Sequence, residues 1–171
     1  MALMLCRECK KEISSQAKVC PHCGAPYPFQ KEWQGWGIDW KTESTLCGYP
    51  LVHIAFGRNA QGKLRVAKGV IAIGQFAVGA ITFAQIGFGL LFGFGQIIVG
   101  LTAVAQFAFS LIFGVGQIAT GYIAIGQFAL GYYALAQTGF AKYLWSIERK
   151  DIEVLEYLRQ LAEKLGLLPG K

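Results

Sequence analysis

Seven glutamines, Gln75, Gln85, Gln96, Gln106, Gln117, Gln127 and Gln137, stand 10, 11, 10, 11, 10 and 10 residues apart in a stretch with no charged side chain. Such an internal repeat constrains the fold first, because each unit must bury its apolar face against a copy of itself. Alternate glutamines recur every 21 residues until the last step slips by one.

Aligning the units on glutamine exposes a size pattern. The preceding residue is always small (Gly74, Ala84, Gly95, Ala105, Gly116, Gly126, Ala136), and the one before that is always large and apolar (Ile73, Phe83, Phe94, Val104, Val115, Ile125, Leu135). Large side chains return one and three positions after glutamine, as in Phe76 and Val78 or Phe107 and Phe109. Four positions after it comes a small residue, glycine in five units out of seven, which reads as a corner because glycine accepts positive φ and close backbone approach. Each unit is then a strand of about seven residues and a short corner.

The expected fold is mainly β: a flattened two-sided β-solenoid with about 21 residues per coil, an N-terminal zinc ribbon and a C-terminal capping α-helix. Stacked at about 4.8 Å, seven strands would make a body only ~17 Å tall. Large residues on one wall meet small ones on the other, as when Phe76 fills space over Ala84 or Gly95. Outward glutamines are expected because buried amides without partners are costly, which leaves the large aromatics in the core.

The competing reading is a helical membrane domain. A 10 or 11 spacing also places the glutamines on one helical face, and the uncharged residues 69–141 could supply three spans of about 20. Fourteen glycines in that stretch, a size alternation of period two and the lack of charged loops weigh against it.

Near the N-terminus, Cys6-Arg7-Glu8-Cys9 and Cys20-Pro21-His22-Cys23 are paired C-x2-C units. Four thiolates suit the tetrahedral preference of zinc and leave no open position for water, so Cys6, Cys9, Cys20 and Cys23 should hold a structural Zn2+. Metal binding would supply the folding free energy of so small a module. His22 is expected to be exposed between ligands, and Cys47, the odd cysteine, to be a buried small hydrophobe. This Cys usage and the short Met1–Leu5 apolar start favour a reducing, cytoplasmic location over secretion.

Residues 6–24, with Cys20-Pro21-His22-Cys23-Gly24 as second knuckle, resemble the short zinc ribbons at the N-termini of many bacterial proteins. Over most of its length the chain also resembles uncharacterised bacterial proteins that join such a ribbon to Gly/Ala/Ile-rich repeats, a resemblance that implies no activity. In architecture it is similar to the polymer-forming bactofilins, which implies a capacity to associate. No catalytic residue carries over from either group.

The expected segments are a zinc ribbon (1–28), a Trp-rich docking segment with weak helical spacing (29–50, including Trp33, Trp36 and Trp40), the solenoid (51–141) and an amphipathic helix (142–171). Ala25–Pro28 reads as a turn or linker, Val52–Gly57 as an early strand, and Asn59-Ala60-Gln61-Gly62 as a turn. The helix should cover the last coil, with Glu156 and Arg159 or Gln160 and Lys164 at pairing distance.

The net charge of +6 lies mostly in residues 1–68, scattered among acids, with only Arg58, Lys63, Arg65 and Lys68 forming a patch. Aromatics do not interleave with these bases, so nucleic acid is not an expected partner. The only polar cleft candidates are His53, Arg58, Asp39 and Glu43, without a nucleophile at telling spacing, so no enzyme and no small-molecule substrate are expected. Outward faces would still carry apolar rows such as Ile73, Phe94 and Val115. The expected function is a non-enzymatic assembly protein that self-associates, even into filaments, through flat apolar faces. The alternatives are a membrane-associated or integral membrane protein with a cytoplasmic ribbon, and a protein-binding scaffold.

Overall fold

The computed structural model describes residues 3–30 and 35–167; Trp33 lies outside them. The chain forms strands β1 (Leu3–Leu5), β2 (Glu12–Ser14), β3 (Trp36–Lys41), β4 (Thr45–Leu46), β5 (Tyr49–Pro50), β6 (Val52–Arg58) and β7 (Val66–Trp145), then helix α1 (Ile152–Lys164). The described residues are mainly β with one C-terminal helix. Among the described residues no helix is long and apolar enough to cross a membrane.

Two compact units result: Met1–Gly37 with Gly57–Lys63, and Ile38–Phe56 with Leu64–Lys171. In the first, β1 and β2 pair antiparallel with Met4 opposite Ile13. Cys6, Ile13, Cys20 and Ala25 form its small core, with Cys9 and Phe29 packed against it. Ala25–Pro28 is not a free linker: Pro26 bridges to Val19, Pro28 is fully buried, and Arg7 Nη1 donates to the carbonyls of Pro26 (2.8 Å) and Tyr27 (3.1 Å). The turn at Asn59 forms as expected, because the Asn59 side chain accepts from the amides of Gln61 and Lys63, both at 3.0 Å.

In the second unit the sheet order is β3-β6-β7, and β6 runs parallel to the start of β7 with Val52 opposite Ile71 and Ala55 opposite Gly74. The tryptophan segment is therefore extended where helical spacing was expected: Gly37 takes φ 105°, outside helical space, and Trp36 and Trp40 on β3 are both exposed. β4 and β5 make a hairpin closed by Cys47 and Gly48, both with positive φ (52° and 80°). That is the dihedral demand of a tight two-residue hairpin turn, and it puts Cys47 on the surface, not in a core.

Strand β7 covers 80 residues, which fully extended would reach about 260 Å. It folds back on itself instead, with neighbours one glutamine interval apart. Tyr122 stacks on Tyr132 and Tyr133 on Tyr143, Phe83 meets Phe94, and Ser110 N–H donates to Thr120 Oγ1. These contacts join residues 10 or 11 apart.

The most deeply buried side chains of β7 fall five apart: Ala67, Ala72, Ala77 and Thr82, then Ile98, Ala103 and Ala108, then Ala119, Ala124, Ala129 and Ala134. The core is thus mostly alanine. Glutamines 85, 96, 106, 117, 127 and 137 are exposed and Gln75 is half-buried, but the large aromatics are not inside as expected. Phe83, Phe88, Phe94, Phe107 and Phe109 are all exposed. The reason is strand alternation: residues either side of a buried alanine must point outward.

Within a glutamine unit the two buried residues compensate in size. A Cβ on Gly87 would lie 2.7 Å from Thr82 Cγ2, and one on Gly93 would run into Ile98 Cγ2. Elsewhere the pair is Ala with Ala, as in Ala103 and Ala108, or Gly with Ala, as in Gly114 with Ala119 and Ala134 with Gly139. Corner glycines serve proximity more than dihedral freedom. Among the glycines of β7 only Gly121 has positive φ (152°), whereas a Cβ on Gly131 would strike the Gly121 carbonyl. The two 11-residue steps carry an extra corner residue, and Leu90, Leu91, Leu111 and Ile112 there are all exposed.

Helix α1 begins ten residues after the expected Lys142. Tyr143–Trp145 remain in β7, and a turn follows in which Ser146 N–H donates to Arg149 O at 2.6 Å. Asp151 precedes the helix, but its carboxylate accepts from Leu144 N–H (2.9 Å) and pairs with Arg149 (2.6 Å) instead of capping. Val154 is buried, Tyr157 stacks on Tyr133 of β7 at 4.2 Å and 7°, and the pair on the helix surface is Arg159 with Glu163.

Candidate metal centre

The hairpin of β1 and β2 delivers Cys6 and Cys9 from the turn between its strands, and a second turn delivers Cys20 and Cys23. Backbone bonds close both knuckles: Lys10 N–H donates to Cys6 O (3.0 Å) and Gly24 N–H to Cys20 O (2.9 Å). Gly24 takes φ 75°, the left-handed conformation that ends the second turn.

All four sulfurs lie within 4.8 Å of one another, with Cys6 to Cys23 and Cys9 to Cys20 each at 3.7 Å. A tetrahedron of thiolates bonded at ~2.3 Å to a central ion has edges of ~3.8 Å. The cluster therefore has the size to hold a metal ion. Cys6 and Cys20 are buried, Cys9 is half-buried and Cys23 is exposed, so the site opens on one side only. His22 is exposed.

The electrostatics of the cluster favour a cation among the sulfurs. Burial alone would raise the Cys6 thiol, but the backbone amides of Cys9 and Glu8 and the neighbouring thiols outweigh it and lower it to about 6. At Cys23 the Ala25 amide favours the thiolate, yet burial and the sulfurs of Cys20, Cys9 and Cys6 push it up to about 12. Four anionic sulfurs in one cluster repel one another, and a cation at their centre removes that conflict.

The polar candidates Asp39, Glu43, His53 and Arg58 are only partly assembled. Lys68 N–H donates to His53 Nδ1 (2.8 Å), which leaves the proton on Nε2 to donate to Asp39 Oδ1 (3.1 Å). Arg65 donates to the other carboxylate oxygen at 2.6 Å. Burial alone would raise the Asp39 carboxyl, but the His53 and Arg65 bonds and charge hold it below its usual value. Both imidazole nitrogens are engaged, so His53 ties β3, β6 and β7 together. Arg58 instead donates to Gly62 O at 2.7 Å, and Glu43 is exposed on the surface.

A second cluster was not foreseen from sequence: Tyr122, Tyr132, Tyr133, Tyr143 and Tyr157, with Lys142 Nζ 4.9 Å above the Tyr132 ring and 2.9 Å from its hydroxyl. Burial and the neighbouring phenols raise the Tyr122 and Tyr133 hydroxyls. The signal was present, since Tyr122 and Tyr132, like Tyr133 and Tyr143, are one glutamine interval apart. No protein-family model, curated protein or solved structure matches the chain.

Proposed function

We propose that this chain is a non-enzymatic structural protein that self-associates, built from a zinc-loaded ribbon and a β-solenoid with apolar outer walls. Four protein thiolates satisfy zinc completely, so the ion stabilises the ribbon and activates no water. The contacts at 10 or 11 residues favour one glutamine unit per coil, so the 21-residue alternation spans two coils instead of making one. The 80 residues of β7 then make about eight layers, ~38 Å tall. Each layer has two walls of three residues, the middle one buried, with glutamine at one corner.

The observation that carries the reading is the composition of the walls. Phe83, Ile86, Phe88, Phe94, Ile97, Val99, Phe107 and Phe109 are exposed in a stretch without one charge. Apolar surface on that scale marks an interface.

Electron microscopy and sedimentation of full-length protein, with and without detergent, test the proposal. Discrete oligomers or filaments in plain buffer, with a 4.8 Å repeat by diffraction, are expected. Monomers in plain buffer would overturn self-association, and helix-rich particles recovered only in detergent would overturn the solenoid as well. Metal analysis should return one zinc per chain.

A further inference from the structure

We infer that the wall bearing Ile86, Phe88, Ile97, Val99, Phe107 and Phe109 is where two copies of this chain meet, with their phenyl rings interleaved. This rests on the self-association proposed above and adds the face and its geometry. Gly87, Ile98 and Ala108 form the inward line of this wall, so the residues flanking each point outward together. All six are exposed, by 37% to 46%. Phe88, Val99 and Phe109 line one groove of ≈ 350 Å³ with Leu90, Leu101 and Leu111 along its side.

The row alternates in size. Phe88 and Phe109 are two intervals apart, hence ~10 Å, with the smaller Val99 between them. A ring inserted midway would sit ~5 Å from each, inside the 4.5–7 Å range of favourable aromatic pairs. A second copy turned antiparallel supplies such a ring, because its Phe then faces Val99 and its own Val faces a Phe. One surface serves both copies, as a two-fold interface requires.

The opposite wall lacks that slot. Phe83 packs on both Phe92 (6.5 Å) and Phe94 (6.4 Å), and farther along Tyr157 of α1 covers Tyr133. Area and charge also favour a copy of the chain. With side chains of roughly 150–250 Å² for the aromatics, 37% to 46% exposure leaves ~60–100 Å² on each. Val78, Leu130 and Phe140 extend the rows, so the wall offers on the order of 800 Å², the share one partner contributes to a stable interface. A bilayer-binding wall would be rimmed by Lys, Arg or Trp, and residues 69–141 contain none of these.

The test is sedimentation over a concentration series with full-length, zinc-supplemented protein in plain buffer, each variant first matched to wild type by far-UV circular dichroism. Phe88→Asp should weaken association by at least about tenfold, and Phe94→Asp on the other wall should leave it unchanged. Val99→Phe, which adds apolar surface but fills the slot, should also weaken it about tenfold. Val99→Ala, which keeps the slot open, should stay within about threefold of wild type. Tighter association of Val99→Phe, or equal loss with Val99→Ala, would overturn the interleaving. Dissociation by Phe94→Asp but not Phe88→Asp would overturn the face while self-association stands. A monomeric wild type would overturn both proposals. Capture of wild type by phosphatidylcholine vesicles, strengthened by Val99→Phe, would assign the wall to lipid and overturn the pairing.

Discussion

The size compensation between Gly93 and Ile98 predicts a strongly non-additive double mutant. Ile98 is fully buried, and its Cγ2 lies within clashing distance of where a Cβ on Gly93 would stand. Ile98→Ala removes three carbons into an unfilled space and should cost about 2–5 kcal/mol. Gly93→Ala drives a methyl into Ile98 and should cost about 1–3 kcal/mol, despite the gain from a stiffer unfolded chain. The double variant recreates the alanine pair of Ala103 and Ala108, which the fold already accommodates. The clash is gone and a net two carbons are lost, or about 1.6 kcal/mol at ~0.8 per carbon. The double variant should therefore be more stable than either the sum of the two changes or Ile98→Ala alone, with a favourable coupling of at least about 1.5 kcal/mol. Urea unfolding by circular dichroism, at one fixed protein concentration because association adds to apparent stability, measures all four corners of the cycle. Additivity within about 0.5 kcal/mol would show that the two residues do not share one space, and the compensated core would be refuted.

Chelation of the metal, or Cys20→Ser, should unfold the first unit while β7 keeps its strand signal; unchanged amide exchange in residues 3–30 would contradict this. Asp39 has a carboxyl held below its unfolded value, so its contribution to stability is present above about pH 4 and is lost as pH falls through the folded value. Asp39→Asn should flatten that acid limb of the stability profile, and an unchanged limb would remove Asp39 as its cause. Cys47 sits at φ 52° in the β4–β5 turn, where asparagine is better suited, so Cys47→Asn should raise stability by about 0.5–1 kcal/mol. A lower unfolding midpoint for that variant would count against the turn assignment.

Features written in local chemistry were legible directly. The C-x2-C pairs needed only two tight turns to bring four sulfurs together. Asn59 made its turn by accepting from the amides of Gln61, Gly62 and Lys63, all within four residues. The early strand at Val52–Gly57 was visible as an echo of the repeat, although its partner register, Val52 with Ile71, was set by the intervening turn. The start of α1 falls later than expected because Leu144 belongs to the strand pattern and is buried there.

The repeat marks the line between sequence and tertiary structure. Sequence alone determined that the units are equivalent, uncharged and spaced by 10 or 11 residues, because those properties survive whichever way the side chains turn. Only tertiary structure decided that alanine lies inside and phenylalanine outside. In an extended chain a shift of one residue exchanges the two faces, so the period alone cannot assign them. The assignment comes from close approach: carbonyls such as that of Gly116 press against a glycine one interval along, and the space enclosed takes Ala with Ala, Gly with Ala, Thr with Gly or Ile with Gly. A phenyl ring does not fit there, so it faces out.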